Sequence, residues 1–120
     1  MADLRDLVAE ANCYLTTTGR RTGRPHTIEI WFAAGANPQT LYLLAGNGDR
    51  SDWVRNILRY PEVTVRIGAL IFQGQGRVVD DPAEERLARQ VVVKKYYGRD
   101  TVATTGWEAT ALPVALDLSM

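Results

Sequence analysis

The sequence predicts a mainly β (α+β) single domain over residues 1–120, a six-stranded antiparallel sheet curling into a small barrel with flanking helices. Two observations lead there. Short alternating segments bounded by Gly, Pro and Asn turns outnumber helical ones, in the order helix, three strands, helix, two strands, helix, strand. Helices are also too few to link parallel strands, so neighbouring strands pair by hairpins and the helices cover the open parts of the barrel.

Residues 3–11 carry a short helical pattern, with Asp3 as cap and Leu4, Leu7, Val8 and Ala11 at helical spacing. Residues 13–18 read as the first strand. Cys13 begins it as a buried structural thiol rather than a nucleophile. "RPHTIEIWFAA" reads as the second, with Ile28, Ile30 and Phe32 on one face and Thr27, Glu29 and Trp31 on the other. "GANP" is a turn, and "TLYLLAG" is a third strand apolar enough to be buried on both faces.

"RSDWVRNILRYP" shifts to helical period. Ser51 or Asp49 caps it, Ile57 and Leu58 join Trp53 or Val54 in its apolar stripe, and Pro61 stops it. "EVTVRIG" alternates as a fourth strand. "LIFQGQGRVV" is a fifth, and Gly74 and Gly76 on one of its faces imply a bend or a close approach by another group. "DDPAEERLARQVVVKKYYG" is the strongest helix. Asp80 or Asp81 caps it, Pro82 opens it, acids precede bases along it, and Gly98 ends it. "ALPVALDL" is the terminal, sixth strand. Ile28, Ile30, Phe32, Leu41, Leu43, Val63, Val65 and Ile67 are the expected core.

Composition narrows the function. The 14 basic and 14 acidic residues balance, which argues against a nucleic-acid binder. One cysteine permits no internal disulfide. No segment approaches the roughly 18–20 apolar residues of a membrane helix, and "MADLRDLVAE" lacks the pattern of a signal peptide. The expected location is cytoplasmic. A single histidine, His26, leaves no histidine-rich metal site, so no metal is expected. "GNGDRS" lacks the length and lysine of a P-loop, and "GQGRVV" lies inside a strand rather than opening a helix. No nucleophile elbow is present, and no catalytic residue stands out. These absences point to a bound organic cofactor or to no chemistry at all.

Three features favour a flat heterocycle with an anionic tail. "TTTGRRTGRP" puts Arg20, Arg21 and Arg24 on one short hairpin, where guanidinium forks match phosphate and carboxylate oxygens. "AGNGD" offers small residues against which a ring can meet the backbone. Trp31 and Trp53 supply broad flat walls. Each also has a plainer reading, as a solvated turn, a loop or a core tryptophan.

"YLTTTGRRTGRPHTIEIWF", "LYLLAGNGDRSDWVRNILRYPEVTVRIG" and the terminal "ALPVALDL" together resemble the deazaflavin (F420)-dependent nitroreductase family over about residues 12–118. The resemblance implies a split β-barrel related to pyridoxamine-phosphate oxidases and other flavin-binding proteins. It implies hydride transfer from reduced F420 to a small-molecule electron-poor acceptor: a quinone, an activated alkene or a nitroaromatic. It puts Arg21, Thr22 and Arg24 at the cofactor's phosphate and tail, with His26 where many members carry arginine, and Arg20 is a further cofactor-binding candidate on the same hairpin. It puts Ile30 and Trp31 beside the ring, Ala45, Gly46, Asn47 and Gly48 along its other edge, and Trp53 at the family's aromatic position. Asn47 stands where many members have lysine, and Glu29–Ile30 where many have proline–leucine, so an acid is expected near the ring. FMN is the alternative cofactor, and a non-catalytic cofactor- or lipid-binding protein the alternative function. Tyr97 and Trp107 are candidates to line an acceptor pocket. The expected state is a monomer or homodimer.

Overall fold

The computed structural model describes residues 7–119. Seven strands form one sheet: β1 (Cys13–Thr18), β2 (Pro25–Ile30), β3 (Ala33–Ala34), β4 (Thr40–Ala45), β5 (Glu62–Ile67), β6 (Leu70–Val78) and β7 (Leu112–Ser119). Among the described residues three complete helices accompany them: α1 (Asp52–Arg59), α2 (Pro82–Tyr97) and α3 (Trp107–Thr110). Much of the N-terminal helix expected over residues 3–11 lies outside the described residues. Leu7 is helical and residues 8–9 already turn.

The strand order is β2-β1-β5-β6-β7-β4-β3, and every neighbouring pair is antiparallel. The two edge strands, β2 and β3, are separated in the chain only by Trp31 and Phe32. The sheet therefore curls until its edges come together, which makes it a barrel split at that seam. The segment expected as one long second strand divides there. At the seam the Phe32 backbone bonds to side chains instead of a strand: its N–H donates to Tyr96 Oη (2.9 Å), and its carbonyl accepts from Lys95 Nζ (2.7 Å). The two-residue β3 is the strand that sequence alternation did not separate.

The core follows the alternation. Phe32, Leu41, Leu43, Val63, Val65 and Ile67 are buried in one cluster, and Ile28 and Ile30, on the edge strand, pack half-buried against it. β4 is buried on both faces because α2 covers its outer side, setting Val92 against Leu44 and Ala88 against Tyr42. α2 has the caps its sequence demands: Asp81 accepts from the Glu84 N–H (2.9 Å), and Gly98 takes the left-handed conformation at φ 70°. Cys13 is fully buried, and that burial pushes its thiol up to about 12, leaving it neutral and unreactive.

Gly76 explains how α1 seats on the sheet. A Cβ there would lie 2.9 Å from Ile57 Cδ1 and Cγ2, so the missing side chain is what lets Ile57 reach the strand. A Cβ on Gly74 would meet the Asp117 carbonyl at 2.6 Å. The shared glycine face anticipated in the sequence is thus a close-approach surface.

Candidate functional site

The hairpin between β1 and β2 closes tightly. The Gly19 N–H donates to the Arg24 carbonyl (2.7 Å), the Gly23 N–H to the Gly19 carbonyl (2.8 Å), and the Arg24 N–H to Thr22 Oγ1 (3.2 Å). A Cβ on Gly19 would sit 2.8 Å from His26 Nε2. Beneath this hairpin, against α1, lies a cleft of about 410 Å³. Arg20, Arg21, Thr22 and His26 line its hairpin side, and Trp53, Asp52 and Asn56 its helix side. Thr17, Thr27 and Ile28 supply strand walls.

The three arginines differ in their partners. Arg20 is tied to α1, its Nη2 on Asp52 Oδ1 (3.1 Å) and its Nη1 on Asn56 Oδ1 (3.0 Å). Arg21 lines the cleft and has no carboxylate within ion-pair distance among the described residues. Arg24 is exposed on the same hairpin but does not line the cleft. The free donors are therefore the Arg21 guanidinium and the neighbouring His26 imidazole. That donor set suits a phosphate or carboxylate oxygen and is poor for an apolar tail.

The other expected site residues lie apart from this cleft. Ile30 packs half-buried against the core and does not line it. Trp31 stacks on Tyr96 (ring centroids 4.1 Å apart, 3° between planes) and meets Tyr97 and Trp107 edge-on, each at 6.1 Å. Ala45 is buried, and Gly48 starts a short 3₁₀ turn over residues 48–50. Gly46 and Asn47, with Arg50, line a separate hollow of about 250 Å³. A Cβ on Gly46 would come 3.2 Å from Trp107 Nε1, so this shelf abuts the aromatic cluster. Glu29 is on the outer sheet face, accepting from Tyr14 Oη at 2.8 Å, and does not line the cleft. That bond to Glu29 raises the Tyr14 hydroxyl above its usual range.

Asn56 was not singled out in the sequence. It is buried and joins three elements, donating through Nδ2 to Thr17 Oγ1 (3.1 Å) and accepting from Arg20. A signal was available: an asparagine three residues after Trp53, on the inner side of an amphipathic helix, is a poor helix former in an apolar position.

A family model of F420H(2)-dependent quinone reductases matches residues 5–118. The chain belongs to that family. As a member it is an F420-dependent oxidoreductase. No curated protein matches the sequence. Among solved structures, a conserved hypothetical protein from Mycobacterium tuberculosis is similar at 21% identity and a TM-score of 0.75, over 96% of this chain and 79% of that one. One described as an F420 reductase is similar at 17% identity and a TM-score of 0.68, covering 100% and 96%. A FAD-binding protein from Mesorhizobium loti is similar at 18% and 0.66, covering 100% and 91%. At these identities the likeness concerns the fold, the split barrel common to F420 and flavin proteins. Among the described residues of this family member, no group of three or more His, Cys, Asp or Glu could hold a metal, and no helix is long and apolar enough to cross a membrane.

Proposed function

We propose that this F420H(2)-dependent quinone reductase family member holds the anionic tail of F420 in the hairpin cleft and reduces a quinone-type acceptor brought to the aromatic cluster. When bound, reduced F420 supplies the hydride. The chain's own residues bind and orient. Arg21 provides the charge that meets the tail and His26 a ring N–H donor beside it, Thr22 holds the turn, and Trp53 is a flat wall of the cleft. Arg20 acts one step back, since its bonds to Asp52 and Asn56 keep the hairpin against α1. The shelf at Gly46 and Asn47, beside Trp107, suits a ring edge. Trp31, Tyr97 and Trp107, each more than a third exposed, present faces on which a planar acceptor can stack.

The observation that carries the reading is the division of labour between adjacent arginines, Arg20 neutralised by the fold and Arg21 left unpaired at the cleft. The test is a titration of F420, and separately of FMN, into wild type, Arg21→Ala and Arg24→Ala, with turnover of a soluble quinone and a nitroaromatic followed in parallel. Arg21→Ala should weaken F420 binding about ten- to a hundredfold, the worth of one charge-assisted contact. Arg24→Ala should weaken it less. Unchanged affinity in Arg21→Ala would remove the tail from this cleft. A preference for FMN over F420 would overturn the cofactor, and faster turnover of the nitroaromatic would change the acceptor.

A further inference from the structure

A second hollow, of about 560 Å³, lies between α2 and β3 and shares no lining residue with the hairpin cleft. Its walls are largely apolar: Val8, Ala33, Ala34, Leu87 and Val91. One cation belongs to it without an anionic partner. Lys95 Nζ donates to the Phe32 carbonyl at 2.7 Å and sits 3.6 Å from the Phe32 ring centroid. No carboxylate lies within ion-pair distance of it among the described residues. The acid in the same lining, Asp100, is paired with Lys94 at 3.0 Å. An ammonium has three donors, and the Phe32 carbonyl takes one of them.

We propose that this hollow is a second ligand site for an amphipathic monocarboxylate, its carboxylate on Lys95 and its apolar body against Ala33, Leu87 and Val91. One unpaired cation matches one negative charge, and Glu10 and Asp100 nearby disfavour a dianion. The apolar walls reward an alkyl or aryl body by burial. Occupancy has a route to the aromatic cluster: the Phe32 carbonyl that Lys95 binds also accepts from Tyr96 Oη (2.9 Å), and the Tyr96 ring stacks on Trp31.

The site also has a pH signature. Burial lowers the Lys95 ammonium to about 8, against a smaller opposing effect of the Glu10 carboxylate. The groups around it are Cys13 from β1, Tyr96 and Lys94 from α2, and Asp100 and Glu10 from the loops. Cys13 and Tyr96, both pushed up to about 12, stay neutral across this range. A bound carboxylate favours the protonated amine, so affinity falls as pH rises through about 8.

The experiment titrates octanoate and, as its uncharged counterpart, octanol into the full chain by calorimetry, with Trp fluorescence recorded alongside. Octanoate should bind at least about tenfold more tightly than octanol. Lys95→Met should abolish that preference together with its pH dependence, Lys95→Arg should retain it, and Val91→Trp should weaken both ligands by filling the hollow. Arg21→Ala should leave octanoate binding unchanged. Equal affinity of octanoate and octanol in the wild type, no binding at millimolar concentration, or loss of octanoate binding in Arg21→Ala would each overturn the proposal. The wild-type comparison stands even if Lys95→Met fails to fold.

Discussion

Arg20 and Asn56 meet twice: the Arg20 backbone N–H (3.1 Å) and its guanidinium Nη1 (3.0 Å) both donate to the one Asn56 side-chain oxygen. A hairpin tip is thereby held to a helix 36 residues away in sequence. A third bond runs from Asn56 Nδ2 to the buried Thr17 hydroxyl.

Asn56→Ala should therefore destabilise the fold by about 1–3 kcal/mol, because it strands the Arg20 N–H and the Thr17 hydroxyl. Asn56→Asp keeps the acceptor beside Arg20 and should cost less. Urea denaturation measures both. F420 titration of the alanine variant should show weaker binding although Asn56 carries no charge, because the hairpin loses its anchor.

Gly76→Ala should destabilise by about 1–3 kcal/mol, since the new methyl lands 2.9 Å from two carbons of Ile57. Combining it with Ile57→Ala makes room for the methyl, so the pair should lose less than the two single losses added together. Strict additivity in a double-mutant cycle would mean that the contact does not restrict α1.

Glu84 predicts an acid limb of stability. Two Arg77 nitrogens (2.7 and 2.8 Å) and Tyr42 Oη (2.7 Å) bond its carboxylate, and these bonds hold its carboxyl down to about 2. Arg77 also bonds Asp117 (2.7 Å), and the same partners push its guanidinium higher. The folded carboxyl is below its unfolded value of 4.5, so its contribution is complete above about 4.5 and is lost as pH falls towards 2. Glu84→Gln should flatten that limb in thermal melts between pH 5 and 2 and cost on the order of 1 kcal/mol at neutral pH, after discounting for partial solvent exposure.

Tyr96→Phe should cost about 1–3 kcal/mol. The Tyr96 hydroxyl accepts from the Phe32 N–H and has its proton between the carbonyls of Ala11 (2.7 Å) and Phe32 (2.9 Å), so removal orphans a backbone N–H at the barrel seam. Hydrogen exchange at the Phe32 amide should accelerate. An unchanged exchange rate would mean that the seam is held by other contacts.

Glu29→Gln should leave F420 affinity unchanged, because the carboxylate is on the outer face against Tyr14 and away from the cleft. Substantially altered binding by direct titration would put the ring on that face.

The sequence by itself determined the alternating strands, the caps of α2, the buried stripe of β4 and the glycine face of β6, because each depends on residues within a few positions of one another. It also singled out the arginine hairpin and Trp53, which the fold brings to one cleft. The tertiary structure alone decided which arginine is available. Arg20 and Arg21 are chemically equal neighbours, and only the approach of Asp52 pairs the charge of one of them while Asn56 takes up its donors. It alone divided the expected second strand, since Lys95 and Tyr96, more than 60 residues away in sequence, satisfy the Phe32 backbone in place of a neighbouring strand. It also set Glu29 against Tyr14 and gathered Trp31, Tyr97 and Trp107 into one cluster. Local pattern fixes which way a side chain faces, but its partner depends on where the curled sheet and its helices bring distant segments together.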